Sequence, residues 1–452
     1  MKRFFWLGYV LFLFLICSGC GDTFRPIIIP NPPTFPNPAA SHSVVSVNDN
    51  GTVADGTVMV VDVSGDTDVS IKNVGLAPVF AVQQSASQVL VANHSVTGMM
   101  QDSLTKLNFS GTVIAAVTTV SLPPNSAPNF VATTEQNQAY VLLPNLTSLE
   151  VVNTVSNSLV ATIPVGNNPV AMAETQNGLK LYVANHDDST ISAFNTVDRS
   201  SRTVTGAFNA PLWLSARSDS QRLYVLNGNG VVSTIDTTSA AGPDNLIDAS
   251  VSVPGATYML YDGNKNRLYI PAGSQLAILD VSQSTPVLLT GGLVAIPRVA
   301  PSSRGAQDPC SLTGAQQLTA AAVTALPDGS RAYIGAYYED TSGNFCPQVT
   351  VIDVASNTVK TNIAVPGFAA YDAFCSAAQS PRAPRFRINM AAGGDSSHAY
   401  LASCDGGMVN IIDTSTDTYI SNLPAPISNS RPPIPPSQLN PPQNPVFLIA
   451  GP

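Results

Sequence analysis

The sequence predicts an all-β protein, a β-propeller of four-stranded blades, with eight blades favoured over seven and the ring closed by a C-terminal strand. Three observations predict it. A β-rich tripeptide ending in Asp or Asn recurs eight times, a strand often built on tyrosine precedes the copies, and one short strand near the C-terminus is left over. Tandem units of this length, each holding several short strands, are how propeller blades read in sequence.

The chain opens with Met1-Lys2-Arg3, an apolar run from Phe4 to Ile16, and then Cys17-Ser18-Gly19-Cys20. A basic start, a short apolar core and small residues before a cut mark a secretory signal peptide. The run is short of the ~20 apolar residues that a spanning helix needs. Residues 1–19 are therefore read as a cleaved leader. Its end resembles a bacterial lipobox, with Cys17 where Leu is usual, and the resemblance implies diacylglycerol on Cys20 and attachment to a membrane. Gly21 in place of Asp favours an outer-membrane address in the cell envelope, with the periplasmic or surface side left open. Residues 20–42 then form the anchor and a tether. Prolines 26, 30, 32, 33, 36 and 38 fix φ and remove amide donors, making a semi-rigid extended spacer. The propeller takes residues 43–452.

Only 11% of the chain is charged while 44% is hydrophobic, so hydroxyls and amides solubilise a chain able to bury a large core. Loss of Lys2 and Arg3 with the leader leaves 18 basic against 29 acidic groups, a net of −11. An acidic surface without a basic cluster repels phosphate backbones and anionic headgroups, which excludes nucleic acid as a partner.

The tripeptides are Val60-Val61-Asp62, Lys106-Leu107-Asn108, Val151-Val152-Asn153, Ala193-Phe194-Asn195, Thr234-Ile235-Asp236, Ile278-Leu279-Asp280, Val351-Ile352-Asp353 and Ile411-Ile412-Asp413. They recur every 41 to 46 residues until insertions lengthen the last two gaps. The preceding strand reads Leu181-Tyr182-Val183-Ala184-Asn185 in its fullest form, with counterparts at Leu90–Asn93, Ala139–Val141, Leu223–Asn227, Leu268–Ile270, Ala332–Ile334 and Ala399–Leu401. An alternating strand and a Gly-X-X-Pro turn often follow, as in 161–169. Each unit thus reads as four short strands separated by turn residues.

These residues resemble the YVTN family of β-propeller repeats, from about Ser43 to Pro424. The resemblance implies that the proline-led strand is innermost in each blade. Blade one, beginning at Ser43, then lacks its inner strand, and Asn444 to Ala450 has the pattern to supply it. The proline-rich stretch from Arg431 to Pro445 would be the strap that returns the end. Pairing the two chain ends leaves no exposed sheet edge at the seam.

Beyond Cys17 and Cys20 lie four cysteines, Cys310, Cys346, Cys375 and Cys404, and an oxidising compartment makes two disulfides from them by any of three pairings. In the strand order of the resembled family, the loop into the inner strand and the loop from second to third strand share one face. Cys310 and Cys346 fall in those two loops of blade seven, Cys375 and Cys404 in those of blade eight, which implies the pairings 310–346 and 375–404. The longest insertions, Val299 to Leu318 and Phe368 to Ile388, lie on the same face, where binding surface is expected.

The candidate binding residues on that face are His94 and His186-Asp187-Asp188, which end equivalent strands of blades two and four. They offer acid–base or ligand chemistry, but in non-adjacent blades, and Asp after a strand is ordinary turn chemistry. No metal site and no cofactor are expected: ligand-type Cys/His spacing, a nucleophile elbow, a Walker loop and a dinucleotide fingerprint are all missing. The spaced carboxylates of Asp62 to Asp68 lack the closing glutamate of a calcium loop and read as a turn. Trp213 and the repeat tyrosines are expected in the core between blades. The function this predicts is a monomeric, lipid-anchored envelope protein presenting a propeller face to a protein, peptide or glycan. The alternatives are a lactonase-like propeller hydrolase and an accessory subunit of an envelope redox enzyme.

Overall fold

The computed structural model describes residues 42–451 except 52–53, 95–101, 135–136, 240–243, 306–307, 312–316, 370–374, 376–385 and 430–440. The leader, Cys20, the tether, most of the strap and much of the last insertion lie outside the described residues.

Eight antiparallel sheets form the blades. From the inner strand outward, blade two is β4 (Pro78–Ser85), β5 (Gln88–Asn93), β6 (Ser103–Ser110) and β7 (Val113–Ser121). Blade three is β8 (Phe130–Thr134), β9 (Gln138–Leu143), β10 (Ser148–Asn153) and β11 (Ser158–Pro164); blade four is β12 (Pro169–Glu174), β13 (Lys180–Asn185), β14 (Thr190–Asn195) and β15 (Ser201–Thr203). Blade five is β16 (Pro211–Ala216), β17 (Arg222–Asn227), β18 (Val231–Asp236) and β19 (Asn245–Ser252); blade six is β20 (Leu260–Asp262), β21 (Arg267–Ala272), β22 (Gln275–Asp280) and β23 (Val287–Ala295). Blade seven is β24 (Thr319–Ala325), β25 (Arg331–Glu339), β26 (Asn344–Asp353) and β27 (Thr358–Ala364), and β28 (Phe368–Ala369) adds a short pairing to β26 that the sequence does not announce. Blade eight is β29 (Ile388–Ala392), β30 (His398–Ser403), β31 (Met408–Asp413) and β32 (Thr418–Pro424).

Blade one holds β1 (Ser43–Asp49), β2 (Asp55–Asp62) and β3 (Thr67–Leu76), and its inner strand is β33 (Asn444–Gly451) from the far end of the chain. The register runs from Ser43 opposite Gly451 to Asp49 opposite Asn444. Inner strands touch in the cycle β33, β4, β8, β12, β16, β20, β24, β29 and back to β33, so the ring is complete.

Second and third strands are covered on both faces by neighbouring blades and so are almost continuously apolar: Leu181 to Ala184 are all fully buried. Outer strands alternate, as in β32, because one face meets solvent. The repeat tyrosines sit in the seams. Tyr140, Tyr182, Tyr224, Tyr333 and Tyr400 are buried and each sends its hydroxyl to the next blade, onto Thr196 O, Asp244, Val281 O, Asp417 and Asp66 respectively. Tyr269 has no such acceptor, and Arg267 spans that seam instead by donating to Val354 O at 2.7 Å.

Two faces result. Loops into inner strands and loops from second to third strands share one, called here the loop face; the turns from inner to second and from third to outer strands share the other, the hairpin face. The Gly-X-X-Pro turn belongs to the loop face. A Cβ on Gly166 would lie 2.6 Å from Asn185 Cγ, so only glycine lets the incoming chain pass over that asparagine. The residue before the proline is left-handed in four blades, at Ala77, Ala127, Asn168 and Ala210.

Candidate functional site

On the loop face, the asparagine that ends the repeat strand is a structural bridge. Asn185 is fully buried; its amide donates to Thr190 Oγ1 at 3.0 Å and Ser192 Oγ at 2.9 Å, and its carbonyl accepts from the Gly166 N–H at 3.0 Å. Asn227 does the same between Ser233 Oγ and the Asn209 N–H. One side chain thus ties the third strand to the loop entering the blade.

The disulfides hold the entry loops of blades seven and eight, and Cys404 lies in the loop from second to third strand of blade eight, as expected; Cys346 does not, because the pairing of β25 with β26 runs on through Tyr338 opposite Cys346 and places it inside the third strand of blade seven. Cys310 pairs with Cys346 and Cys375 with Cys404, with Cα atoms 5.7 and 5.9 Å apart. The second staple touches the ring closure, since Asn444 Nδ2 donates to Cys404 O at 2.9 Å.

The structure gives His186, Asp187 and Asp188 a matching role. Asp188 accepts from the Asn167 N–H at 2.6 Å and from Asn167 Nδ2 at 2.8 Å; Asp187 accepts from Asn168 Nδ2 at 2.9 Å and lies 2.7 Å from His186 Nδ1. The carboxylates line a polar depression of about 420 Å3 with Asn145, Asn167 and Asn168, but their oxygens already hold the loop. His94 lies two blades away, its N–H on Ala77 O at 3.0 Å, and is not brought to this cluster. Among the described residues no three His, Cys, Asp or Glu side chains converge to hold a metal ion.

One charged group escaped sequence reasoning. Arg387, just before β29, donates to Glu339 and Asp405, both at 2.6 Å, and lies 4.4 Å from the centroid of the Phe345 ring. Its three partners come from separate segments with no local motif, so nothing in the sequence signals the cluster. It fastens blade eight to the loops of blades seven and eight.

The axis was also unread. Phe80, Phe130, Trp213, Tyr258, Phe386 and Phe447 form a closed circuit of ring contacts with centroids 4.5, 5.5, 4.8, 5.9, 5.5 and 4.6 Å apart in turn. Trp213 therefore differs from its expected place between blades: inner-strand side chains face the axis, and its indole joins this circuit. Burial holds the Tyr258 hydroxyl protonated far above the ordinary tyrosine range. Next to the circuit is a cavity of about 200 Å3 lined by Phe80, Phe130, Met172, Trp213, Tyr258 and Ile449. Its lining continues through Thr133, Glu174, Gln176 and Ala216, towards the ends of the inner strands, so it faces the hairpin face. Phe386 and Phe447 lie outside the lining, on the loop-face side.

Fold and axis together define an eight-bladed β-propeller whose apolar channel is blocked by aromatic rings near the loop face. No protein-family model matches the chain, and no curated protein matches it. Among solved structures it is similar to AztD from Citrobacter koseri, with a TM-score of 0.55 at 11% identity, covering 91% of this chain and 98% of that one. It is also similar to a functionally unknown protein from Desulfotomaculum acetoxidans, with a TM-score of 0.51 at 16% identity, covering 71% of this chain and 95% of that one. At such identities the likeness is one of fold.

Proposed function

We propose that this chain is an exported lipoprotein of the bacterial cell envelope, held by lipid on Cys20, that works by binding and not by catalysis. The repeats are of the YVTN type on this reading, and the buried roles of Tyr182 and Asn185 support it, since they give the motif a reason to recur. The two disulfides support an oxidising compartment.

The axial cavity carries the binding reading. It is an apolar recess on a closed, rigid ring, the arrangement in which little freedom is lost on association. A small molecule there is favoured over a protein, peptide or glycan held on the stapled loops, because the loop-face carboxylates and amides are occupied with each other. The described chain begins at the hairpin face, where the His42 carbonyl accepts from the Val63 N–H, so the tether would join the ring on the face towards which the cavity points.

Two measurements test this. Labelled palmitate is expected to mark the chain in cells and to be lost in Cys20→Ser. A small-molecule panel is expected to contain compounds that raise the melting temperature and are recovered unchanged; recovery as a product instead would overturn the binding reading.

A further inference from the structure

Resting on that binding reading, we infer that the chain regulates its own axial cavity: the ring of Phe35, in the tether, occupies the recess, and a small molecule enters by displacing it. The tether starts in the right place. Ser43, the first residue of β1, stands opposite Gly451 of β33, and Ala450 beside it lines the cavity with Ile449. The wall of the recess is therefore one strand spacing, about 5 Å, from the point where the tether joins the ring.

Length and stiffness select the residue. Phe35 stands seven residues before His42, a reach of about 22 Å for an extended proline-rich arm. Pro36 and Pro38 fix φ and hold the residues before them, Phe35 and Asn37, in extended conformations. The arm is thus ordered before it docks, and little freedom is lost when it does. Ala39-Ala40-Ser41 contains no proline and supplies the bend over the rim. Pro30, Pro32 and Pro33 carry the isoleucines at 27 to 29 further off. No charged residue stands between Pro26 and Ser41, so docking takes no ion out of water.

Size and shape agree. A dry apolar cavity of about 150 Å3 takes benzene, and the recess of about 200 Å3 has room for the benzyl side chain of a phenylalanine. Phe80 and Trp213 are partly uncovered where they line it. Phe130, Tyr258 and Phe386 meet Trp213 at interplanar angles of 64°, 65° and 83°, so none of them lies flat on its indole. A further ring covers such surface by offset or edge-on contact. Met172 flanks the site with a polarizable thioether that adapts to it.

The short arm turns this contact into regulation. A group held on so short a link is present at an effective concentration of order millimolar, enough to keep a weak site filled. A recess open about one-tenth of the time binds an outside compound about tenfold more weakly.

The test reads Trp213, which is the only tryptophan once residues 1–19 and Trp6 are removed. The mature full chain in lipid nanodiscs is compared with Phe35→Ala, Phe35→Tyr and Phe24→Ala, each with its circular dichroism spectrum kept. Phe35→Ala is expected to shift Trp213 emission to the red and to steepen its quenching by acrylamide, while Phe35→Tyr and Phe24→Ala keep the protection of the natural chain. Indane, an uncharged bicyclic ring, is expected to bind Phe35→Ala about tenfold more tightly at matched lipid concentration. Unaltered quenching in folded Phe35→Ala, an equal change in Phe24→Ala, or indane binding that does not tighten overturns the assignment. Protection that falls on dilution overturns it too, and gives the recess to a second copy of the chain. Failure of the binding reading is separate, because the quenching comparison needs no added compound and the panel needs no variant.

Discussion

The hydroxyl of Tyr182 donates to one oxygen of Asp244 across the seam between blades four and five, at 2.7 Å, while the Lys180 ammonium holds the other oxygen at 2.7 Å. Asp244 is 5% exposed, so the carboxylate depends on these two partners for the solvation it has lost. Tyr182→Phe is expected to cost about 1.5–3 kcal/mol, as for a hydrogen bond to a charged group. Tyr269→Phe should change stability by less than about 0.5 kcal/mol, since its hydroxyl has no acceptor across its seam. Denaturant melts of the two variants read the difference, and equal losses would contradict the seam role.

The same seams make the fold sensitive to alkali. Burial, reinforced by Asp244, Asp417 and Asp66, pushes the pKa values of Tyr182, Tyr333 and Tyr400 far above the ordinary value, and burial with the charge of Asp262 pushes Tyr269 up to about 12. Each folded pKa is raised, so the folded state keeps protons that the unfolded chain releases near pH 10. Their contribution is intact below about pH 10 and falls as pH rises beyond it, through 12 for Tyr269. Denaturation at successive pH values should show a plateau and then this decline, with the tyrosinate absorbance of the seam hydroxyls appearing together with unfolding.

The repeat made the blades legible because second and third strands meet the same neighbours every time, so the same residues recur. Pro78, Pro169 and Pro211 announced their inner strands for the same reason. The closing strand could be found by pattern, since β33 must match β1 in register. The axis could not. Phe80, Phe130, Trp213 and Tyr258 meet only when their blades come together, and six of the eight blades contribute one ring of no fixed identity to the circuit, so no motif marks them. The cluster of His186, Asp187 and Asp188 is the opposite case: residues suited to chemistry stand together in sequence, and the loop contacts of the two carboxylates, to Asn167 and Asn168, could not be read there.

The close pass of the incoming loop over Asn185 gives a third prediction. A methyl on Gly166 would meet Asn185 Cγ and Asp188 Oδ2, each at 2.6 Å, and Asn185 is held on three sides. Gly166→Ala should therefore cost about 1–3 kcal/mol, the usual range for overpacking, and should loosen the bond from Asn167 to Asp188. Gly305→Ala, where nothing lies within 4 Å of the added carbon, is the matched control and should leave the melting temperature nearly unchanged. Thermal melts and amide exchange at Asn167 are the readouts; protection there that survives Gly166→Ala would show that the loop has another way past.

The last prediction separates the two devices that hold the ring shut. Deleting 444–452 removes β33, so β1 keeps β2 but loses its partner on the inner side, and the inner strands of blades eight and two each lose one neighbour. An open strand edge carrying Val44, Val45 and Val47 is a template for another chain, and the expected product is oligomer by light scattering, not a looser monomer. Replacing Cys375 and Cys404 by serine acts differently, because β33 still pairs with β1 along its length. Their separation of 29 residues predicts a loss of about 2–4 kcal/mol from a chain that stays monomeric. Adding Asn444→Ala to that double variant should cost little more, since the amide works by tying β33 to the Cys404 carbonyl beside the staple, and a loss fully additive with the disulfide would show that strand and staple act independently.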